Sequence, residues 1–344
     1  MDFFKRLLYK NSKVGGPVYE IVSGPQLTIV DSAPVPCARV WAVGGGKGGV
    51  GKSLVAANLG VGLSKLGKKV LMVDVDLGAA NLHTLLNMDG GKVSLSNFLK
   101  SGSTDIVPFA SRTGFENLDL VSGAKDSLDV ADNGGAGIAR LAEALQDVPY
   151  DYVVLDIGPG TGANILDLFL MADEGILLTT PEPTSIENSY RFLKCLFLRR
   201  IRNIANSREE TKLKELLHRI FEGQRSSRLK TVADILAQIK ALDPARGELL
   251  NEILGNTSVS IIVNQARTQA DMEIGDAMKA ACRNYFGIEI GFLGGIGYEE
   301  SVHESIRSKT PLVLSYGQTA AARSIEACMQ RLIDNERGRK RSMA

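Results

Sequence analysis

The residues with the most recognisable chemistry form a glycine-rich loop early in the chain. Gly46-Lys47-Gly48-Gly49-Val50-Gly51-Lys52-Ser53 fits the pattern G-x-x-x-x-G-K-[ST], between the apolar text VWAV and a helically spaced segment, LVAANLGVGLSKLG. Glycines let successive main-chain N–H groups turn towards phosphate oxygens, and the positive end of the following helix adds to that attraction. The pattern predicts a phosphate site in which Lys52 reaches the β- and γ-phosphates and Ser53 ligates Mg²⁺.

Three aspartates end apolar segments that are expected to lie beside this loop. Asp74 and Asp76 close the text VLMVDVD, and Asp156 closes DYVVLD. Because the carboxyl ends of parallel strands meet at one edge of a sheet, these carboxylates should gather near the phosphate loop. A carboxylate there can meet Mg²⁺ directly or through water. For Asp74 and Asp76, capping of the following helix is the structural alternative.

The elements that must position these residues are a sheet and its covering helices. From Arg39 onward, short apolar runs alternate with amphipathic stretches, which predicts an α/β fold with one doubly wound, mostly parallel sheet and helices on both faces. Aliphatic runs such as VLMVD and SIIVN are typical of strands buried on both faces. The predicted strands are Val40–Val43, Lys69–Val73, Leu118–Val121, Tyr152–Asp156, Gly175–Thr179, Ser258–Val263 and Ile290–Leu293.

The composition excludes several classes of protein. Lys and Arg number 40 against 39 Asp and Glu, a net charge of +1. Only a local basic patch, and not the surface as a whole, could therefore bind nucleic acid or an acidic membrane. No run approaches the ~20 apolar residues of a spanning helix, and MDFFKRLLYK lacks a signal-peptide core, so we expect a cytoplasmic location. The 4 cysteines contain no C-x-x-C pair, and no zinc or iron–sulfur spacing is visible.

The chain divides into four predicted parts. Residues 1–38 form an N-terminal extension, residues 39–335 a single domain with a helical insertion at about 199–255, and residues 336–344 a solvated basic tail. The insertion carries 12 Lys and Arg against 8 Asp and Glu, which favours a solvated or protein-binding face and leaves nucleic acid as an alternative. Its helical stripes comprise Leu213, Leu216, Leu217, Ile220 and Phe221, then Val232, Ile235, Leu236, Ile239 and Leu242.

A second lysine in the loop, Lys47, is not needed by an ordinary phosphate loop. The text KGGVGKS resembles the deviant Walker A loop of the MinD/ParA family of P-loop NTPases, and TTPEPTSIENSYRFLK, IIVNQAR and LGGIGYEESVHESIRSKTPLV extend the resemblance. It implies an ATPase that uses ATP and Mg²⁺ and forms a homodimer on ATP binding, in which Lys47 reaches the partner's phosphates and activates hydrolysis. The text DIGPG at residues 156–160 looks like the FlhG/FleN branch, whose members govern flagellar number and placement.

The resemblance also implies a role for each site residue. Lys47, Lys52 and Asp76 would be catalytic, with Asp76 orienting the attacking water. Asp74 and Asp156 would join Ser53 around Mg²⁺, and relatives usually carry a proline where this chain has Gly297, which leaves base preference open. Nucleotide binding would involve Gly46, Lys47, Gly48, Gly49, Val50, Gly51, Lys52, Ser53, Leu54, the γ-phosphate sensor Asn81, Gly160 and the adenine-recognising Asn264.

The leading hypothesis is therefore an ATP-driven dimerisation switch that regulates the placement or number of a cellular structure, such as flagella or the division site. It would bind an unidentified protein partner. Residues 1–13, with Phe3 and Leu7 beside Lys5 and Lys10, could attach it peripherally to the inner face of the cell membrane or dock on their own domain. The alternative is an ATP-dependent metabolic enzyme of the cobyrinic acid a,c-diamide synthase type on the same scaffold.

Overall fold

The computed structural model describes residues 38–76, 79–89, 93–123, 134–206, 211–222 and 231–343. In these ranges eight strands form one sheet, and the predicted extension at residues 1–37 lies outside them. The strands are β1 (Arg39–Gly44), β2 (Val70–Asp74), β3 (Ser111–Arg112), β4 (Leu118–Val121), β5 (Tyr152–Asp156), β6 (Glu174–Thr179), β7 (Val259–Ala266) and β8 (Gly291–Gly297). Their order is β3-β4-β2-β5-β1-β6-β7-β8, and all pairs are parallel except β3 with β4.

Helices occupy most of the chain between these strands. They are α1 (Lys52–Lys65), α2 (Leu82–Leu85), α3 (Leu95–Ser101), α4 (Gly134–Ala144), α5 (Ala163–Met171), α6 (Pro183–Asn206), α7 (Thr211–Glu222), α8 (Val232–Leu242), α9 (Pro244–Gly255), α10 (Gln269–Phe286), α11 (Glu300–Arg307), α12 (Leu312–Ser315) and α13 (Ala320–Met343). A short 3₁₀ turn spans Val107–Phe109. None of the described helices combines the length and the apolar character that crossing a bilayer requires.

The central strands are aliphatic because helices cover both of their faces. Every residue of β2 and β5 is buried, as the unbroken runs VLMVD and YVVLD predict. The strand register brings the carboxyl ends together, since Asp156 pairs with Asp74 on one side and with Val43 on the other. The loop that leaves β1 therefore starts beside both aspartates.

Helix α1 is buried around most of its surface because it lies between the sheet and α13. Its two glycines permit this close packing. A Cβ atom on Gly60 would lie 2.6 Å from the sulfur of Met72 in β2, and one on Gly62 would lie 2.8 Å from the sulfur of Met329 in α13. Helices α4, α5, α6 and α10 contribute to the core on the opposite face.

The structure confirms the predicted fold class, and each of the seven predicted strands is present. Two differences occur at the edges of the sheet. The two-residue strand β3 was not predicted, because Ser111 and Arg112 carry no apolar pattern and pair only through the turn to β4. Strand β8 runs four residues beyond its predicted end at Leu293, through a glycine-rich stretch that is atypical of strands but occurs here at a sheet edge.

The predicted helical insertion consists of the end of α6 followed by α7, α8 and α9. Its apolar stripes pack into the main core, with Leu213, Val232 and Ile239 fully buried. Leu242 was predicted to continue the second stripe, but it is 61% exposed because α8 ends there. Phe221 lies in α7, but its side chain is outside the described part of the structure.

The predicted solvated tail at residues 336–344 is mostly the end of α13, which continues to Met343. This prediction was wrong for two side chains. Glu336 accepts hydrogen bonds from Nε1 of the buried Trp41 (2.6 Å) and from the Tyr152 hydroxyl (3.2 Å), and Arg339 pairs with the buried Glu174 at 3.1 Å. The buried acceptors and donors at the start of the sheet need these partners, so the end of α13 docks there.

Candidate functional site

The phosphate loop follows β1 and ends at the first residue of α1. Gly49 (φ 79°) and Gly51 (φ 92°) adopt the left-handed backbone that favours glycine, and Gly51 is the N-cap of α1. Gly46 has no room for a side chain, because a Cβ atom there would collide with the main-chain carbonyl of Asn188 in α6. Ser53 and Leu54 are half-buried in the first turn of α1. The backbone path therefore requires glycine at positions 46, 49 and 51, whereas Gly48 has open space around it.

Lys52 points into the molecule, where it faces two carboxylates. It is only 7% exposed, and burial lowers the pKa of its ammonium group, while the charges of Asp156 and Asp76 act in the opposite direction. This cation is largely shielded from water, and among the described residues the opposite charges that act on it are those of the two acids. Such a group binds an entering phosphate strongly.

Asp156 has the properties expected of a residue that helps to hold a cation. Burial raises the pKa of its carboxyl group to about 7, although Ser53 and Lys52 oppose the rise. It is 1% exposed, and neither carboxylate oxygen has a hydrogen-bond partner of normal geometry among the described residues. Two buried oxygens beside a serine hydroxyl are a donor set that suits Mg²⁺, so the residues present fit the metal that this loop type uses.

The Asp74 carboxylate binds main-chain N–H groups in this structure. Its carboxylate accepts hydrogen bonds from the main-chain N–H groups of Asp76 (3.2 Å), Asn81 (3.0 Å) and Leu82 (3.1 Å), so the loop after β2 and the start of α2 are tied to it. Burial raises its pKa to about 6 against these hydrogen bonds. The structural alternative considered for Asp74 is thus present, and its contact with a magnesium-bound water stays a prediction.

Asp76, unlike Asp74, is only half-buried and stands over the segment that follows β5. A Cβ atom on Gly158 would lie 3.1 Å from Oδ1 of Asp76, so these two loops touch. Gly160 (φ 108°) donates its N–H to the carbonyl of Gly45 at 3.3 Å, which holds this segment against the phosphate loop. The Asn81 side chain is exposed at the N-cap of α2.

Lys47 lies on the outside of the same loop. Its side chain is exposed, and Nζ donates a hydrogen bond of 3.3 Å to the hydroxyl of Thr184 at the start of α6. The loop thus presents two lysines in opposite environments, Lys52 inside the site and Lys47 on the surface.

Asn264 and Gln265, at the end of β7, contact the phosphate loop from the opposite side. Asn264 Nδ2 donates to the carbonyl of Val50 at 2.8 Å, and Gln265 Nε2 donates to the carbonyl of Gly49 at 3.4 Å. The resemblance implies that Asn264 recognises adenine, and this role stays a prediction, since the structure shows only that the Asn264 amide holds the loop. Gln265 was not singled out by the sequence analysis, and its contact carried no signal in the sequence beyond its position next to Asn264.

An aromatic platform follows directly on the same strand end. The guanidinium of Arg267 lies 3.9 Å from the centre of the Tyr298 ring, and Tyr298 is 41% exposed. The main-chain N–H of Tyr298 donates to the carbonyl of Ala266 at 2.8 Å, which places the ring at the end of β7. Tyr298 was not predicted as a site residue, because no local pattern in the sequence marks its pairing with Arg267.

A phosphate loop between a buried parallel strand and a helix, with a buried lysine and a buried aspartate beside it, defines a P-loop NTPase. A family model described as "ParA: NUBPL iron-transfer P-loop NTPase" matches residues 37–204. MinD of Escherichia coli K12, a septum site-determining protein, is 30% identical over 229 residues, 66% of this chain and 82% of that protein. The chain belongs to the ParA/MinD family of P-loop NTPases.

Other relatives match over a shorter length. The antiactivator FleN of Pseudomonas aeruginosa is 32% identical over 160 residues, 46% of this chain and 56% of FleN. The chain spans 53–61% of the length of four curated relatives, FleN included. Among solved structures, MinD from Pyrococcus horikoshii with Mg-ADP has a TM-score of 0.59 at 21% identity, and covers 88% of this chain and 98% of its own. At that identity the likeness shows the fold.

Proposed function

We propose that this protein is a Mg²⁺-dependent ATPase that acts as a nucleotide-controlled dimerisation switch. The observation that carries the proposal is the pair of lysines on one loop. Lys52 is buried beside Asp156 and Asp76, where it can neutralise the phosphates of a bound ATP. Lys47 is exposed on the outer side of the loop, where its ammonium group is available to the nucleotide of a second subunit.

We propose a separate role in hydrolysis for each of the other residues of the site. Main-chain N–H groups of the loop and Lys52 would hold the β- and γ-phosphates, and Asp76 would orient the attacking water. Ser53 and Asp156 would hold Mg²⁺, which when bound neutralises charge on the phosphates. Gly160 lies on the segment that is held against the phosphate loop, and Asn81 lies on the segment that is tied to Asp74, and both would respond to the presence of the γ-phosphate.

The regulated process is proposed from the relatives. One is named a septum site-determining protein and another an antiactivator, and a MinD from Aquifex aeolicus was solved as a MinC:MinD complex. We propose that the dimer of the present protein likewise binds a protein partner and regulates the placement or number of a cellular structure. The insertion at about 199–255 is the proposed partner surface. Residues 1–13, the proposed site of peripheral membrane contact, lie outside the described residues.

The test of the switch is the dependence of ATPase activity on protein concentration. If hydrolysis requires a dimer, the rate per subunit should rise with protein concentration, and sedimentation should show dimers with Mg-ATP and monomers with Mg-ADP. Replacement of Lys47 with alanine should remove the rise, while Lys68→Ala, at an exposed lysine before β2, should retain it. An activity per subunit that is constant over a wide concentration range would contradict the proposal.

We also propose that Arg267 and Tyr298 form the platform for the base of the nucleotide. Tyr298→Ala should weaken Mg-ATP binding about 5- to 150-fold, because stacking of a base on an aromatic ring contributes about 1–3 kcal/mol. Binding of inorganic tripolyphosphate should not change, since it has no base. Isothermal titration calorimetry with both compounds measures the difference. Equal losses for ATP and tripolyphosphate would show that Tyr298 acts on the loop and not on the base.

A further inference from the structure

The end of β7 contains a backbone conformation that needs an explanation. Gln265 has φ 60°, in the left-handed region that few non-glycine residues adopt, and it lies inside a strand. The pairing of β7 with β8 is irregular at this point, between Val263 and Ala266. Unfavourable backbone conformations of this kind persist only where the surroundings hold them, and they are often found at functional sites.

The irregularity turns two neighbouring side chains to the same side. In a regular strand, successive side chains point to opposite faces. Here Asn264 and Gln265 both reach the phosphate loop, and their amides donate to the successive carbonyls of Val50 (2.8 Å) and Gly49 (3.4 Å). The Oδ1 atom of Asn264 also accepts the main-chain N–H of Gln265 at 2.9 Å, which couples the two residues.

The direction of these carbonyls determines the direction of the groups that bind phosphate. In a trans peptide unit the C=O of one residue and the N–H of the next point in opposite directions. Holding the carbonyls of Gly49 and Val50 towards β7 therefore turns the N–H groups of Val50 and Gly51 away from β7. Glycine at positions 49 and 51 leaves the loop free to take other conformations, so an external contact is needed to fix this one.

We infer that Gln265 is a positioning residue of the nucleotide site. Its side-chain amide holds the Gly49 carbonyl so that loop N–H groups face the phosphates, and the left-handed backbone at Gln265 is what lets this amide reach the loop. The inference rests on the proposed nucleotide binding. The backbone conformation of Gln265 lowers the stability of the fold, whereas its side chain favours nucleotide binding. A substitution can therefore change the two properties separately.

The test compares Gln265→Gly with a matched variant away from the site. Glycine adopts a positive φ readily, so Gln265→Gly should raise or retain the melting temperature while removing the amide. Its Kd for Mg-ADP and its KM for ATP should rise about 3- to 10-fold, the effect of one hydrogen bond, with kcat retained. Lys309→Gly relieves the same kind of backbone conformation (φ 53°) at an exposed position after α11 and should leave both constants unchanged.

A wild-type Kd in Gln265→Gly, with the protein folded, would overturn the inference. If Gln265→Gly loses melting temperature and affinity together, Gln265→Asn decides, because asparagine tolerates the left-handed backbone but is too short to reach Gly49. Weaker binding at an unchanged melting temperature supports the positioning role, and wild-type binding refutes it. If the unmodified protein fails to bind Mg-ADP at all, the proposed function itself fails, which is a different result.

Discussion

Lys52→Ala should raise the Kd for Mg-ATP by about 100-fold or more, the largest effect that we expect on binding. The Lys52 ammonium is the cation placed inside the site, and it is 7% exposed between Asp156 and Asp76. Without it, the phosphates would lose the attraction of the ammonium group, and the carboxylates of Asp156 and Asp76 would lose the cation between them and the phosphates. Isothermal titration calorimetry with Mg-ATP and Mg-ADP measures both affinities.

The control for this prediction is Lys65→Ala at the other end of α1. Lys65 donates a hydrogen bond to the carbonyl of Val313 at 3.0 Å and lies on the surface, so its loss changes the helix without changing the loop. Its Kd should equal that of the unmodified protein. Melting temperatures of both variants show whether they are folded. Unchanged nucleotide affinity in folded Lys52→Ala would remove the phosphate-loop assignment.

Asp76→Ala should lower kcat for ATP hydrolysis by about 100-fold while ATP affinity is retained. Asp76 is the half-buried carboxylate over Gly158, whereas the Asp74 carboxylate is occupied by three main-chain N–H groups. Of the two carboxylates, that of Asp76 is therefore the one free of these main-chain hydrogen bonds, which supports its proposed role of orienting the attacking water. If dimers form with ATP and dissociate after hydrolysis, this variant should accumulate as an ATP-bound dimer, which analytical ultracentrifugation detects.

A matched control for Asp76→Ala is Glu116→Ala, which removes an exposed carboxylate from the turn before β4. It should hydrolyse ATP at the unmodified rate and should not accumulate as a dimer. Observation of monomers alone for Asp76→Ala at saturating Mg-ATP would contradict the switch. Loss of ATP binding in Asp76→Ala would instead assign the residue to binding.

Local properties of the chain were sufficient to predict the sheet and the phosphate loop. Aliphatic runs such as those of β2 and β5 are typical of strands buried on both faces, and the helical stretches between them give the order of the elements along the chain. The loop needs glycine at particular positions for its backbone path, and Lys52 and Ser53 are fixed relative to it by a few covalent bonds. Each of these features depends on residues close together in the sequence, so spacing alone reveals them.

The contacts between distant segments were decided by the tertiary structure. The amides of Asn264 and Gln265 meet carbonyls more than 200 residues earlier in the chain, through a strand irregularity that no local pattern marks. The sequence predicts Glu336 in a solvated tail, whereas in the structure α13 places its carboxylate against Nε1 of Trp41. Asp74 and Asp76 are the same residue type and have similar neighbours in the sequence. Only the tertiary structure shows that the Asp74 carboxylate accepts three main-chain hydrogen bonds, while Asp76 lies beside Gly158. Burial and hydrogen-bond partners are properties of the packed chain, and the sequence specifies them only through the whole fold.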